Sequence, residues 1–467
     1  MEKKKSGFTS SIGFVFAAAG SAVGVGNIWR FPYLAARDGG GLFLLVYLAL
    51  VLTFGFTLLT TDIALGRRTG QNAWHAFGSI RSQWGFLGKL TFLVPAMIMT
   101  YYSVIGGWVL KYAAVYLTGH HAQAAQDGFF TSFITSHAGP VVFMFLFLAL
   151  TALVVFSGVE KGIEKFSSWV MPGLLIMIIG IAFYSLTLRH TDAAGVTRTG
   201  LQGLAVYLIP DFTGLTPSRF LSILLDAMSQ LFFSLSVSMG IMITYGSYVK
   251  KDVDLNKSIS QVEFFDTGVA FLAGMMIIPA IYVFAGTEGM ASGPSLMFVS
   301  LPKVFESMGA AGPIVGVVFF LMILFAALTS CVSIMETLVS TCMRIFHTSR
   351  KATSMVIFFL SLAAAVVICM GYNVFYFECT LPNGNSAQLL DIMDYISNSF
   401  LMPLISFLTA IFVGWVIHPT WIAEEMEVNG TVFRRQTLYG VMVRYVVPVI
   451  MAVLFLQSTG ILNMLAR

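Results

Sequence analysis

The stretch Gly20-Ser21-Ala22-Val23-Gly24-Val25-Gly26-Asn27-Ile28-Trp29-Arg30-Phe31-Pro32 lies inside the first long apolar run of the chain. Three glycines, an asparagine and an arginine so close together do not suit a helix that only faces lipid. Backbone groups freed in hydrocarbon cost several kcal/mol each unless protein, water or a ligand satisfies them. The stretch therefore predicts a helix that is broken inside the membrane, where its free carbonyl and N–H groups hold something polar.

The bulk composition excludes a soluble protein. The chain has 467 residues, of which 57% are hydrophobic and 10% are charged, with a mean hydropathy of +0.85. Soluble domains carry about 25% charged residues, so the deficit indicates an all-α polytopic membrane protein. The net charge of +4 forms no basic patch interleaved with exposed aromatics, and we expect no nucleic-acid partner. The four cysteines show no CxxC spacing, which argues against a disulfide framework or a zinc site.

Eleven apolar runs are long enough to cross a bilayer of about 30 Å. They lie near residues 11–35, 41–66, 87–117, 140–157, 167–188, 219–248, 259–286, 312–345, 352–371, 389–418 and 437–459. A short amphipathic stretch near 296–308 is expected to cap the outer side. The first run is too rich in glycine, and too closely followed by further spans, to be a cleaved signal peptide.

Lysines and arginines gather in alternate loops and so predict the orientation of the chain. The runs Lys3–Lys5, Arg67/Arg68, Lys250/Lys251 and Arg434/Arg435 all fall on one side, whereas the opposite loops carry few cations. The positive-inside rule places the N-terminus in the cytoplasm. We expect a multi-pass protein of the cytoplasmic (inner) membrane of a bacterium.

A second interruption matches the first. The sixth run reads Ser229-Gln230-Leu231-Phe232-Phe233-Ser234-Leu235-Ser236-Val237-Ser238-Met239-Gly240, with four serines and a glycine near mid-depth. Interrupted segments at matching positions of two halves indicate a binding site at the membrane midplane of an inverted-repeat transporter. The prediction is one transporter domain, residues 1–467, built from a first five-helix repeat (11–188), an inverted second repeat (219–418) and an eleventh helix (437–459).

The motifs of three runs resemble a known family. The patterns GxAVGxGNxWRFP in span 1, SQLFFSLSxSxG in span 6 and ALTSxVSIME between Ala327 and Glu336 in span 8 are similar to those of the neurotransmitter:sodium symporters. The bacterial branch, typified by the leucine transporter LeuT, fits best, although many relatives have a twelfth span. The resemblance implies the LeuT fold, with broken helices 1 and 6, and Na⁺-coupled uptake by alternating access.

The resemblance implies two sodium sites made of oxygen ligands. The first, Na1, takes Ala22, Asn27, Ser234 and the region of Asp266; the second, Na2, takes Gly20, Val23, Ala326, Thr329 and Ser330. The alternative is that these Ser and Thr residues only pack helices together or bond back to their own helix.

Asp266 departs from the pattern of chloride-dependent relatives, which have neutral residues here. A fixed carboxylate can supply the negative charge that chloride supplies in those relatives, so we expect two sodium ions and no chloride. The alternative is a structural acid that is buried by hydrogen bonds, although intramembrane acids are functional by default.

The resemblance also places a substrate site around Gly24, where amine-transporting relatives carry an aspartate. The free space allows a substrate carboxylate to approach Na1, the N–H groups of Val25 and Gly26, and the Tyr102 hydroxyl; the positive end of a half-helix favours an anion. The substrate-binding residues implied are Ala22, Gly24, Val25, Gly26, Ile98, Tyr102, Phe233, Ser234, Ser236, Ser238, Met239, Ser330 and Ile334.

The walls of this site offer no charge to pair with a charged side chain. Met239 replaces a phenylalanine of the leucine transporter and adapts its shape to a larger side chain, unless it merely fills the core. The predicted substrate is therefore a hydrophobic L-amino acid, aromatic ones such as tyrosine and tryptophan included.

Gate residues follow from the same resemblance. Arg30 and Asp394 match the extracellular ion pair, and Tyr102 with Phe233 match the aromatic lid. The inner gate departs from the family, since Lys5 and Arg344 occupy the positions of its ion pair and would repel each other. Either another acid, with Glu336 as the candidate, closes this side or the inward-open state is favoured; we adopt the second hypothesis.

Span 5 carries Gly162 and Pro172 in GIEKFSSWVMP. Proline removes a backbone donor and glycine eases unwinding, and in the family such a motif is associated with sodium release. An ordinary membrane-helix kink is the alternative. Asp62 and Glu160 receive no transport role.

The sequence thus favours a sodium-coupled symporter and leaves two alternatives open, a proton-coupled amino acid permease of the same fold and a non-translocating amino acid sensor. An intramembrane enzyme is not expected, because no HExxH motif, GxSxG turn or paired mid-membrane aspartates of the protease type occur.

Overall fold

The computed structural model describes residues 7–192, 195–286, 289, 294–382 and 384–461, and this part of the chain is almost entirely helical. Nine helices in it are long and apolar enough to cross a membrane. They are Gly41–Thr69, Ser82–Leu117, Gly139–Phe156, Val159–Thr187, Leu255–Ala285, Gly309–Phe346, Arg350–Met370, Leu389–Val416 and Gln436–Ser458. Helices Ser11–Ala22 and Val25–Arg37 form a tenth crossing, bent by 55° at its break.

The predicted count of eleven is therefore one too high by length and hydropathy within the described residues. The difference lies in the sixth predicted span, which consists of two helices, Pro217–Ser234 and Ile241–Gly246, separated by a non-helical segment at 235–240. We keep the numbers of spans 1–11 in chain order and name the halves of the broken ones 1a, 1b, 6a and 6b.

The two breaks differ in their backbone. In span 1 the chain is extended at Gly24, with φ −117° and ψ −173°, so span 1b starts in a new direction. In span 6 the left-handed region is occupied by Ser236 (φ 53°), Ser238 (φ 61°) and Gly240 (φ 77°). Only glycine adopts such φ values without steric cost, so the two serines are held there by their surroundings.

Shorter elements connect the spans. The short helices of the described chain are Ala73–Ile80, His121–Ala124, Phe129–Thr135, Gly200–Leu208, Leu301–Ser307 and Pro419–Met426, with a single turn at Leu296–Ser300. Single turns at Ser82–Trp84 and Gly309–Ala311 begin spans 3 and 8. Two small antiparallel hairpins pair Arg189–Thr191 with Thr197–Thr199 and Cys379–Thr380 with Ser386–Ala387. The turns at 296–300 and 309–311 flank Leu301–Ser307 in the region that was predicted to cap the outer side.

Close helix packing positions the broken segments. Span 1a packs against spans 5, 7 and 8, and span 6b packs against span 2. At the second contact, Gly66 lies against the Ile243 carbonyl and Gly246 lies against the Ile63 carbonyl, so that a Cβ at either glycine would overlap backbone. Small residues allow such close approach between membrane helices. Span 2 therefore supports the broken segment of span 6 directly.

Candidate functional site

A cavity of about 30 Å³ lies where the breaks of spans 1 and 6 meet. Twelve of the thirteen predicted substrate residues line it; Ser238 does not. Its lining consists of Ser21, Ala22, Gly24, Val25, Gly26, Asn27, Ile98, Tyr102, Phe233, Ser234, Ser236, Met239, Ile241, Ser330 and Ile334. Ser21 and Ile241 were not predicted as site residues; Ile241 follows the break of span 6, whose end the sequence does not mark.

Glycines bring the backbone of span 1 to the cavity wall. A Cβ at Gly24 would lie 3.2 Å from Ser330 Oγ and 3.5 Å from the Tyr102 hydroxyl, and one at Gly26 would lie 3.1 Å from the Phe233 ring. The Tyr102 hydroxyl is buried and has no hydrogen-bond partner in the described protein. A buried hydroxyl without a partner is costly, so this group is available to a polar ligand.

The predicted Na1 residues form a cluster of oxygen atoms beside the cavity. The Asn27 amide donates to Asp266 Oδ1 at 2.8 Å, and Ser234 Oγ lies 2.7 Å from the same oxygen. Asn27 Oδ1 accepts from the Gly24 N–H at 3.2 Å. Asp266 is fully buried, and its Oδ2 has no partner among the described residues. The cluster therefore presents a free carboxylate oxygen inside the membrane, and oxygen is the donor that a hard cation prefers.

The predicted Na2 residues meet where span 1a crosses span 8. Ser330 Oγ lies 3.4 Å from the Gly20 carbonyl oxygen, and a Cβ at Gly20 would lie 3.2 Å from the Thr329 Cβ. The Thr329 hydroxyl donates to the Ala326 carbonyl at 3.0 Å. The alternative interpretation, in which the hydroxyl bonds back to its own helix, thus describes its present contact. Val23 is the C-terminal cap of span 1a.

Serines tie the two breaks together. The Ser236 hydroxyl donates to the Ser21 carbonyl at 2.9 Å, and Ser330 Oγ lies 3.1 Å from the same carbonyl oxygen. Ser21 thereby links spans 1, 6 and 8 at the cavity wall.

Asp62 of span 2 holds the broken segment of span 6. The Ser238 N–H donates to Asp62 Oδ2 at 2.9 Å, and Asp62 is buried. No role was predicted for Asp62, although an acid within an apolar span is a signal of function.

The extracellular side of the site holds a cavity of about 480 Å³ that both Arg30 and Asp394 line. They form no ion pair in the described structure. The Arg30 guanidinium donates to Ser229 at 2.8 Å, and Asp394 accepts from the Asn398 amide at 2.5 Å. The two predicted gate residues thus face one cavity with separate partners.

Glu336, the acid considered above as an alternative partner for the inner gate, is buried and paired on the cytoplasmic side. Arg350 donates to Glu336 at 2.6 Å and 2.9 Å, and the Tyr248 hydroxyl donates to it at 2.7 Å. Phe8 packs edge-on against the Tyr248 ring. A buried carboxylate of span 8 thus pairs with a cation on this side, as the alternative to the inward-open hypothesis supposed, and which state is favoured stays a prediction.

The other residues of the predicted inner gate play different parts. Arg344 donates to the carbonyl of Gly70 and to the side chain of Gln71, so it closes no ion pair in the described part of the chain. Lys5 lies outside the described residues.

Span 5 is fully helical between Gly162 and Pro172, with a π-helical turn at Val159–Glu164. Glu164 accepts four hydrogen bonds from the backbone and hydroxyl groups of Thr9 and Ser10, at 2.7–3.2 Å. A carboxylate at the start of span 1a also faces the positive end of that helix. Unwinding of this turn would remove these contacts together.

Comparisons with known proteins agree with this architecture. A model of the sodium:neurotransmitter symporter family matches residues 5–132 and 131–465. The uncharacterized sodium-dependent transporter YhdH of Bacillus subtilis is 33% identical over 99% of both chains. Human sodium- and chloride-dependent GABA transporter 2 is 24% identical over 91% of this chain and 77% of its own length.

Among solved structures, the crystal structure of MhsT in complex with L-phenylalanine has a TM-score of 0.83 and 34% sequence identity. The match covers 97% of this chain and 100% of that chain, and it confirms the predicted LeuT fold. The chain therefore belongs to the sodium:neurotransmitter symporter family, a family of multi-pass membrane transporters and not of enzymes.

Proposed function

We propose that this protein is a secondary active symporter that imports a hydrophobic L-amino acid together with Na⁺, without chloride, by alternating access. The observation that carries the proposal is the cavity between two broken helices, beside which lie a free carboxylate oxygen of Asp266 and the unpartnered hydroxyl of Tyr102. The solved relative MhsT binds L-phenylalanine, which supports an amino acid as the class of substrate.

Sodium at Na1 couples the ion to the substrate. Ala22, Asn27 and Ser234 line the substrate cavity, and Asn27 and Ser234 also contact Asp266. A cation held by these oxygens lies next to a substrate carboxylate that faces Tyr102. Each ligand then raises the affinity of the other, by thermodynamic reciprocity. A second ion at Na2 would stabilise the junction of spans 1a and 8.

The substrate is recognised at both of its ends. Its carboxylate meets Na⁺, the start of span 1b and the Tyr102 hydroxyl, and its ammonium meets carbonyl groups of the two breaks. The remaining wall is apolar, formed by Val25, Ile98, Met239 and Ile334. A charged side chain would be buried there without a partner and is disfavoured.

Chloride is not needed because Asp266 supplies a fixed negative charge at Na1. Replacing chloride with gluconate is expected to leave wild-type uptake unchanged.

Alternating access requires that the outer side of the cavity closes before the inner side opens. On the outside, Arg30 and Asp394 approach each other across the 480 Å³ cavity when substrate binds, below which Phe233 and Tyr102 form the lid. On the inside, release of Glu336 from Arg350, and of Glu164 from Thr9, frees span 1a. Unwinding between Gly162 and Pro172 opens the path from Na2. The N-terminus lies in the cytoplasm of a bacterium, and the protein is in its inner membrane.

The proposal is tested by uptake of labelled L-amino acids into proteoliposomes, with an inward Na⁺ gradient compared with K⁺ on both sides. Accumulation of a hydrophobic amino acid above equilibrium only with Na⁺ is expected. Accumulation driven by a proton gradient without Na⁺ would favour the permease alternative. Sodium-dependent binding without accumulation would favour the sensor.

A further inference from the structure

Arg30, Asp394 and Asn398 line the same extracellular cavity of about 480 Å³. Asp394 accepts a hydrogen bond from the Asn398 amide at 2.5 Å. Within the described residues the cavity has one other acid, Asp226, and this acid accepts from Arg37. Asp394 is thus the acid that is left for Arg30, and Asn398 is a residue that holds it.

Asn398 connects Asp394 to span 3. Its amide nitrogen donates to the Tyr101 hydroxyl at 2.9 Å as well as to Asp394. An amide nitrogen has two hydrogens, so both are used. Tyr101 is buried and directly precedes Tyr102 of the substrate cavity. Asn398 therefore fixes the position of Asp394 relative to the helix that carries Tyr102.

The backbone around Asn398 is held in place from span 11. Asn398 lies within the π-helical segment Tyr395–Leu401, and such segments are frequent at functional sites. The Tyr395 hydroxyl donates to the Ser458 carbonyl at 2.8 Å, and the Ser458 hydroxyl donates to the Ser399 carbonyl at 2.5 Å. Residues on both sides of Asn398 are thus anchored to the end of span 11.

The amide oxygen of Asn398 has no partner. It is buried, and no described residue donates a hydrogen bond to it. A buried oxygen without a donor destabilises the state in which it occurs. Arg30 can supply the donor, because its guanidinium has five N–H groups and lines the same cavity. A carboxylate accepts several hydrogen bonds, so Asp394 can pair with Arg30 while it keeps the bond from Asn398.

We propose that Asn398 is a positioning residue of the outer gate, which holds Asp394 in place and accepts a hydrogen bond from Arg30 through its amide oxygen when the gate closes. The gate of Arg30 and Asp394 is part of the proposed function, on which this inference rests. The guanidinium then has two acceptors on span 10, one charged and one neutral, about one helical turn apart. Two acceptors hold the planar guanidinium in one orientation, which a single contact does not ensure.

The test is the rate at which a membrane-impermeant maleimide labels Leu225→Cys from outside intact cells. Leu225 is a buried residue of span 6a that lines the cavity, and the native Cys342 and Cys379 are replaced by serine. No amino acid is added, so the result does not depend on which substrate is transported. Arg30→Ala is measured first in Na⁺ and in K⁺ medium, and the medium in which it raises labelling more is used for the comparison.

Asn398→Leu keeps the size of the side chain but removes its donor and its acceptor. It is expected to raise the labelling rate about tenfold, the size of one lost hydrogen bond to a charged group. Asn398→Ala, which leaves space in place of the amide, is expected to act alike. In the Arg30→Ala background Asn398→Leu is expected to add less than about twofold, because both substitutions act on one gate.

The matched control is Ser397→Ala, which removes a buried hydroxyl from the same π-helical segment and is expected to leave the labelling rate unchanged. Unchanged labelling in both Asn398 variants would overturn the inference. So would a tenfold increase in the Arg30→Ala background, or an equal increase in the control, since Asn398 would then be only structural. If Arg30→Ala itself changed nothing in either medium, the proposed outer gate would fail and the inference with it. Sodium-driven uptake by the same cells tests the proposed function separately.

Discussion

Two buried tyrosines of span 3 differ in whether their hydroxyl group has a hydrogen-bond partner in the protein. The Tyr112 hydroxyl donates to the Phe298 carbonyl at 2.8 Å, whereas the Tyr102 hydroxyl has no protein partner and faces the cavity. Removing a hydroxyl that is hydrogen-bonded within the protein lowers the stability of the fold, whereas removing one that bonds only to a ligand lowers the affinity for that ligand.

Tyr102→Phe is therefore expected to raise the KM for the amino acid about tenfold, the size of one lost hydrogen bond to a charged group, with thermal stability unchanged. Tyr112→Phe, the matched control, lowers thermal stability and leaves KM unchanged. Uptake kinetics give the KM of the two purified variants, and thermal unfolding gives their stability. An unchanged KM in Tyr102→Phe would exclude its contact with the substrate.

Asp266 supports a second prediction at this scale. Asp266→Asn keeps the size of the side chain but removes the negative charge, so we expect the Na⁺ concentration for half-maximal uptake to rise about tenfold or more. Asp252→Asn, a change at an exposed loop acid, is the control. Uptake measured against Na⁺ in gluconate medium gives both values, and a sodium dependence equal to that of the wild type would leave Asp266 a structural residue.

At the scale of the element, the break of span 6 is stabilised by contacts with residues of other spans. Ser236 and Ser238 both adopt left-handed backbone conformations, but their roles differ. The Ser236 hydroxyl bonds to the Ser21 carbonyl and lines the cavity; the contact shown for Ser238 is its N–H to Asp62.

Ser238→Gly is expected to stabilise the protein by about 1 kcal/mol, because glycine relieves the left-handed strain while the backbone N–H stays in place. Uptake should be retained. Ser236→Gly relieves similar strain but loses the bond to Ser21 and part of the cavity wall, so it lowers substrate affinity. Thermal unfolding and substrate binding of the two variants separate these effects; reduced binding in Ser238→Gly would place its side chain in the site.

The sequence predicted the existence of both breaks but not their shapes. Gly24 and Gly26 marked the first break directly, because glycines and an asparagine have no use in a lipid-facing helix. The second break extends to Gly240, and its six non-helical residues shorten span 6b to Ile241–Gly246. Asp62, which holds this segment, comes from another span, and no local pattern joins the two.

At the scale of the whole molecule, the order of the spans follows from hydropathy, whereas the closure of the two sides depends on tertiary contacts. Arg30 and Asp394 were paired by resemblance, yet their partners here are Ser229 and Asn398. Arg344 and Lys5 suggested repulsion at the cytoplasmic side. The sequence could not show that Arg350, at the start of span 9, reaches the buried Glu336 of span 8.

The cytoplasmic ion pair supports the last prediction. Glu336 is fully buried and Arg350 is 18% exposed, so breaking the pair leaves an uncompensated charge and favours opening. Met343 lines a cytoplasmic cavity of about 670 Å³ beside Phe8 and Arg350. In a protein with Met343→Cys, and with the two less buried native cysteines Cys342 and Cys379 replaced by serine, Arg350→Gln is expected to raise the labelling rate at residue 343 about tenfold, or about 1.4 kcal/mol. The charge swap Glu336→Arg/Arg350→Glu is expected to restore part of the slow labelling, because the hydrogen bond from Tyr248 to Glu336 is still lost.

The control Arg68→Gln breaks an exposed ion pair with Glu424 on the same side of the protein and is expected to leave the labelling rate unchanged. Slow labelling in Arg350→Gln, or no rescue by the swap, would mean that Glu336 does not hold this side closed.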